Sequence, residues 1–220
     1  MRSPSGSGAD RRPASRAPCS CAAGIIRHVF VADLRHYLDL PDTAPGPARR
    51  LGRHLTSVVR AATVGPADSA WTSALRCRRR PGHRACPGRL MLFRADLPAP
   101  IEWQCSSCGD QGTISGWEHS PFDLRRSGPT HRREHGPQLL ISDEVADVLR
   151  DLLLLDPDSE RLVFSARASE DGALLAADED DLEELAGFVA AEANHEANRR
   201  RQRRLDEAFD VLSDASGPGH

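Results

Sequence analysis

The chain has 220 residues, enough for one large domain or two small ones, and its net charge at pH 7 is only −3. No apolar run approaches the ~20 residues of a membrane-spanning helix, and the N-terminal stretch lacks the apolar core of a signal peptide. The sequence therefore predicts a cytoplasmic protein without a membrane partner, in which cysteines are more often metal ligands than disulfides.

Charge is distributed unevenly along the chain. Residues 1–136 carry 21 arginines and 11 acidic residues, a net charge of +10, whereas residues 137–220 carry 8 arginines and 21 acidic residues, a net charge of −13. Such a split predicts two modules, one of which meets an anionic partner, or two halves that attract each other. All 29 basic residues are arginine, which is typical of high-GC coding and is not by itself a sign of a binding site.

The N-terminal segment is predicted to be disordered, because its Ser, Pro, Gly, Ala and Arg cannot form a core. Cys19 and Cys21 lie in this segment, and we interpret them as incidental. Residues 32–40 then predict a short helix that Pro41 ends.

A second helix is predicted to start near Pro47, a residue suited to a first helical turn, and to end at Gly65 and Pro66. Its apolar positions follow helical spacing: Leu51, Leu55, Val58, Val59 and Ala62. The pattern indicates an amphipathic scaffold helix with a basic outer side.

The next stretch is predicted to contain short strands over residues 69–76, 89–94, 101–104 and 113–117, separated by Gly-Pro and Gly-Asp steps. Residues 125–137 are rich in Arg, His, Gly and Pro and form the clearest candidate linker.

After the linker, residues 138–141 predict a strand, and Ser142 is a plausible N-cap for a helix whose first turn holds Asp143 and Glu144. Residues 161–167 predict a strand, followed by a hairpin turn into residues 173–176. Two closing helices are predicted, one from Asp178 onward and one through Leu205 and Leu212.

The strongest motif is a pair of cysteines, Cys105 and Cys108, separated by two residues and followed by Gly109. This spacing turns both thiolates toward one ion, and a glycine permits the left-handed backbone that such a turn often needs. A closed site needs four ligands, and the other cysteines in the folded region are Cys77 and Cys86. The sequence therefore predicts one structural Zn²⁺ held by Cys77, Cys86, Cys105 and Cys108, with His83 as the alternative fourth ligand.

Metal binding answers a physical need here. A β module of ~50 residues with few large apolar side chains is marginally stable, and a structural zinc ion supplies folding free energy of about 10 kcal/mol. Four thiolates leave no open coordination position, which argues against catalysis at the metal. Arginines surround these cysteines and offset the −2 charge of the complex: Arg76, Arg78, Arg79, Arg80, Arg84 and Arg89.

The order of cysteine pair, hairpin, knuckle and strand resembles a zinc ribbon over residues ~70–120, although the long loop between Cys77 and Cys86 departs from that pattern. The stretch from Trp103 to Trp117 is also similar to a group of uncharacterised proteins of high-GC bacteria. That second resemblance implies no activity.

Other motifs have simpler explanations. His131, Glu134 and His135 match the H-x-x-E-H pattern of inverted zinc peptidases, but flanking Gly-Pro pairs leave little room for the long helix that such chemistry requires. The acidic run over residues 178–184 is typical of a helix start, and the arginine run over residues 199–204 is typical of a solvated helix face.

We therefore predict an α+β protein. Its predicted parts are a disordered tail (1–24), a helical segment plus zinc-ribbon-like module (25–124), a linker (125–137), an acidic α/β domain (138–215) and a second disordered tail (216–220). The predicted function is that of a non-enzymatic zinc-binding adaptor or regulator that contacts nucleic acid or a protein. The alternatives are a zinc-dependent hydrolase with a site between the two modules and a purely structural protein-interaction module. Nucleic acid would contact Arg78, Arg79, Arg80 and Arg84.

Overall fold

The computed structural model describes residues 29–41, 43–96, 99–126 and 137–217. Within these residues the helices are α1 (Arg35–Leu38), α2 (Gly46–Val64), α3 (Asp143–Arg150), α4 (Pro157–Phe164), α5 (Glu179–Ala193) and α6 (Arg199–Ser216). The strands are β1 (Val29–Asp33), β2 (Trp71–Arg76), β3 (Arg89–Phe93), β4 (Ile101–Cys105), β5 (Gln111–Ser115), β6 (Gln138–Ile141), β7 (Arg167–Ser169) and β8 (Gly172–Ala176). This mixed content confirms the α+β class, and the predicted domain boundaries stay predictions.

The strands lie in the order β1-β5-β4-β3-β2-β7-β8-β6. From β5 to β2 the neighbours are antiparallel, and β3 and β4 form a hairpin in which Leu90 faces Cys105. The four strands that were predicted between residues 69 and 117 are all present. Their alternation places Leu90, Leu92, Ile101, Trp103 and Ile114 in the core.

The helix predicted over residues 32–40 is wrong in its first part, because Val29–Asp33 is a strand and only Arg35–Leu38 is helical. The strand pairs in parallel with β5, from Val29 opposite Gln111 to Asp33 opposite Ser115. This pairing with a distant segment overrides the local helical pattern.

Helix α2 confirms the predicted amphipathic helix. Pro47 lies in its first turn, and Leu55, Val58 and Val59 are fully buried. The helix ends at Gly65, where a Cβ atom would lie 2.1 Å from the indole Nε1 of Trp71. Trp71 therefore packs closely over the end of α2 and fixes the helix against the sheet.

Helix α3 begins as predicted, since the Ser142 hydroxyl accepts a hydrogen bond from the Val145 N–H. The strand predicted over residues 161–167 is wrong, because α4 occupies Pro157–Phe164. Asp156 is its N-cap and accepts from the N–H groups of Asp158 and Ser159, while Pro157 takes the first helical position. Val163 and Phe164 are buried by the resulting helix.

The two halves of the sheet meet at one residue pair, Ser73 opposite Arg167, beside a hydrogen bond of 2.9 Å from the Ala74 N–H to the Ala166 carbonyl. Side chains cross this junction in both directions: Phe164 packs into the core of the first half and Ala74 into the core of the second. In the part of the chain that the structure describes, no helix is long and apolar enough to cross a membrane.

Candidate metal centre

The four predicted cysteines come together at one end of the sheet. Cys77 follows β2, Cys86 precedes β3, Cys105 ends β4 and Cys108 precedes β5. Because these strands are antiparallel, all four cysteines lie at the same end of the sheet. Their Sγ atoms all lie within 4.8 Å of one another. The Sγ–Sγ distance is 3.7 Å both from Cys77 to Cys108 and from Cys86 to Cys105.

The two distances of 3.7 Å match those of a tetrahedral metal site. Metal–sulfur bonds of about 2.3 Å in a tetrahedron place the sulfur atoms about 3.8 Å apart. The cluster can therefore hold a metal ion with little rearrangement. With sulfur at all four corners, no coordination position remains open for water or substrate.

Backbone N–H groups point at the sulfur atoms of the cluster. The N–H of Arg79 donates to Cys77 Sγ and the N–H of Gly88 donates to Cys86 Sγ, each at 3.4 Å. Cys105 Sγ accepts from the N–H groups of Ser107 at 3.4 Å and Cys108 at 3.5 Å. In each case the donor lies two or three residues after the cysteine, so the chain wraps around the sulfur and stabilises its thiolate form.

Further backbone hydrogen bonds fix the loops that carry the cysteines. Cys77 N–H donates to the Gly88 carbonyl at 2.9 Å, and Cys105 N–H donates to the Asp110 carbonyl at 2.7 Å. The long first loop closes through a 3-10 turn over Pro81–His83 and a hydrogen bond of 3.0 Å from Cys86 N–H to the Arg79 carbonyl. The unusual eight-residue spacing between Cys77 and Cys86 is thus compatible with the cluster.

Two glycines permit this geometry. Gly109 has φ +70°, as the sequence predicted for the residue after the knuckle. Gly88 is needed for space, because a Cβ there would lie 2.3 Å from Cys105 Sγ and 2.9 Å from the Ser107 nitrogen. The Cys86-Pro87-Gly88 step was a sequence signal for a tight turn at this ligand, and the sequence reasoning did not use it.

Electrostatics at the cysteines differ from one thiol to the next. Burial raises the pKa of Cys77 and of Cys108 above the ordinary thiol value. Burial also opposes ionisation of Cys86, but the Gly88 N–H and the neighbouring thiols lower its pKa to about 7. Several thiolates packed this closely need a cation between them, which is the role of a bound metal ion.

The remaining predicted candidates lie apart from the cluster or outside the described residues. His83 is exposed on the first loop and is not a member of the cluster. Cys19, Cys21, His131, Glu134 and His135 lie outside the described residues. The acidic run begins α5, where the Asp178 side chain accepts from the Asp181 N–H in a capping box. In the arginine run on α6, Arg201 pairs with Glu192 and Glu196.

A cleft of about 700 Å³ adjoins the cysteine cluster. Three of the four arginines predicted to contact nucleic acid line it, namely Arg78, Arg79 and Arg80, while Arg84 is exposed and is not among its lining residues. Trp71, Trp103 and Trp117 are 7%, 3% and 0% exposed, so they serve the core and offer no stacking surface.

Comparison with protein-family models, with curated proteins and with solved structures finds no match for this chain in any of the three.

Proposed function

We propose that this chain is a non-enzymatic zinc-binding protein in which Cys77, Cys86, Cys105 and Cys108 hold one structural Zn²⁺. The observation that supports this most directly is the set of four sulfur atoms within 4.8 Å of one another, with backbone N–H groups aimed at them. Tetrahedral sulfur sites take zinc or iron, and a closed four-thiolate site with no catalytic position is typical of structural zinc.

The surrounding strands support a zinc-ribbon-like module over residues ~70–120. One ligand pair flanks the loop before the β3–β4 hairpin, and the other forms the turn between β4 and β5. The ion would hold the ends of four strands together at the edge where the hydrophobic core gives way to a basic, solvated loop.

The metal would support a surface that contacts a partner, as an adaptor or regulator does. The arginines of the first loop are presented at the rim of a cleft beside the metal site, where nucleic acid or an acidic protein segment would meet them. A hydrolase would need an open metal position, and four thiolate ligands fill the coordination sphere of zinc.

The test is metal analysis of the purified full chain and of two variants. One zinc per chain is expected, without the visible absorption of an iron–sulfur site. Cys105→Ser is expected to lower zinc content to near zero, because Cys105 faces Cys86 at 3.7 Å and accepts two N–H hydrogen bonds.

His83→Ala is the matched control, because His83 lies in the same metal loop but is exposed. We expect it to keep one zinc. Full zinc content in Cys105→Ser would refute the assignment. Loss of zinc in His83→Ala would show that His83, and not one of the four cysteines, is a ligand.

A further inference from the structure

The cleft beside the metal centre lies where the first half of the chain meets the second. Five arginines of the first half line it: Arg76, Arg78, Arg79, Arg80 and Arg89. The second half contributes Asp143, Ser169 and Glu170. Its volume of about 700 Å³ is within the ~300–1,000 Å³ typical of ligand sites and far exceeds a single phosphate group.

These arginines fall into two groups by their partners. Arg89 pairs with Asp143 at 2.5 Å, and Arg76 pairs with Asp147, so both are neutralised by the first turns of α3. Arg79 is 60% exposed and lies 3.7 Å from Asp110.

Arg78 and Arg80 form no ion pair with a carboxylate among residues 29–41, 43–96, 99–126 and 137–217. Arg78 instead lies over the Phe30 ring, 5.0 Å from its centroid. Both residues line the cleft, and no carboxylate of these residues neutralises their charge.

Balancing the thiolate charge does not occupy these side chains. In the described part of the chain, the hydrogen bonds to cysteine sulfur come from backbone N–H groups, and no arginine side chain donates to a cysteine. The backbone supplies the stabilisation that the sequence alone would assign to arginines.

We infer that this cleft binds the phosphates of a nucleic-acid backbone. The inference rests on the proposed function, because the metal shapes the loop that carries Arg78, Arg79 and Arg80. Guanidinium groups pair with phosphate oxygens in a bidentate manner, and three consecutive arginines at one cleft suit a repeating anion better than the single phosphate of a phosphopeptide. Because the tryptophans are buried, recognition uses the backbone and carries no base preference.

Asp143 of α3 lines the same cleft, and Asp147 pairs with Arg76, which also lines it. Asp143 holds Arg89 in the way that a ligand phosphate would, and Asp147 does the same for Arg76. The acidic half therefore competes with nucleic acid for the cleft, and removal of one of these charges strengthens binding.

The experiment is a fluorescence-polarisation titration of labelled DNA and RNA of about 20 nucleotides, single-stranded and duplex, with the zinc-loaded full chain at about 50 and 200 mM KCl. All probes are expected to bind weakly, with affinity falling as salt rises. Changing Arg78, Arg79 and Arg80 together to Glu is expected to weaken binding at least about tenfold and to flatten the salt dependence. Asp143→Asn is expected to tighten it about threefold.

The matched control changes Arg200, Arg203 and Arg204 of α6 to Glu, because these are three exposed arginines on the second half. It is expected to weaken binding less than twofold. Zinc content is measured for every variant, and Arg80→Glu alone replaces the triple variant if the latter loses metal. If the cleft variant retains zinc and its affinity for DNA and RNA is unchanged, the inference that the cleft binds nucleic acid is wrong. The metal assignment would then still stand.

Three further results would overturn the inference: no binding at the lower salt concentration, equal losses in the cleft and α6 variants, or tighter binding of a phosphoserine peptide or a nucleoside triphosphate than of the 20-mers.

Discussion

The hydrophobic cores of the two halves differ in their side-chain composition. In the first, residues 29–126, the buried cluster contains Trp71, Trp103 and Trp117, and it continues into three of the four cysteines. In the second, residues 137–217 with Ala74, every buried member of the cluster is Ala, Val, Ile or Leu. Both cores consist mainly of aliphatic side chains, and only the first adds tryptophan and the cysteines of the cluster.

This difference has a physical reason. Helices α5 and α6 bury an apolar stripe of leucine, valine and alanine on each other, so this core needs no metal ion. At this end of the β2–β5 sheet Cys77, Cys86 and Cys105 are buried, but the loop over residues 78–85 is exposed and rich in arginine. A metal ion bound by the four cysteines would cross-link the strand ends there.

Removing zinc is the change for which we expect the largest difference in stability between the two halves. Chelation of the full chain should remove several kcal/mol or more of stabilisation from β3, β4 and β5, because structural zinc contributes up to about 10 kcal/mol on folding. Helices α5 and α6 should keep their protection, since their core contains no cysteine. Hydrogen exchange read by mass spectrometry measures both regions in one sample.

Re-addition of zinc should restore the lost protection, which distinguishes metal loss from damage by the chelator. A uniform loss across both halves would mean that the contacts of Phe164 and Ala74 make them one cooperative unit.

Gly88→Ala should damage the metal edge without removing a ligand. The added Cβ would meet Cys105 Sγ at 2.3 Å and the Ser107 nitrogen at 2.9 Å, so the knuckle must move. We expect a loss of about 2 kcal/mol or more in unfolding free energy with zinc present, and at least tenfold weaker zinc binding. Denaturant titration and competition with a chromophoric chelator measure the two quantities.

Gly82→Ala provides the comparison, because Gly82 lies in the same loop with open space around its Cβ position. Its φ of +59° costs an L residue only about 1 kcal/mol. Equal effects of the two substitutions would show that backbone conformation, not crowding at Cys105, determines the result.

The sequence predicted the cysteine cluster and the strands around it better than it predicted β1 and α4. Strands β2 to β5, helix α2 and the Ser142 cap follow from alternation, helical spacing and capping chemistry, all of which are local. Cysteine spacing predicted a cluster because few arrangements of four thiols in a hairpin make physical sense.

The wrong predictions concern segments whose secondary structure depends on distant contacts or on competing local signals. Strand β1 exists because β5 pairs with it in parallel, and no local pattern shows that partner. Helix α4 starts with the Asp156 cap and Pro157, a helix-start signal that precedes the residues predicted as a strand. The ion pairs of Arg76 and Arg89 with α3 were foreseen only as a general attraction between halves, since charge totals do not identify partners.

His54 should give the first half a pH dependence that the second half lacks, and this is the smallest effect we expect. Burial and, to a smaller extent, the charge of Arg78 lower the pKa of His54 to about 4, and the ring meets Trp103 edge-on at 5.9 Å. The folded state therefore binds fewer protons than the unfolded state between pH 4 and 6.5, so stability falls as pH drops through that window. From pH 7 to about 5.5 the loss of unfolding free energy attributable to His54 is about 1 kcal/mol.

Acid also protonates the thiolates, so the comparison is made between variants. His54→Gln should lose about 1 kcal/mol less than the unmodified chain over this range. His195→Gln, at an exposed position of the second half, should follow the unmodified chain. Denaturant unfolding at the two pH values measures the difference, and parallel profiles for all three proteins would show that folding leaves the pKa of His54 unchanged.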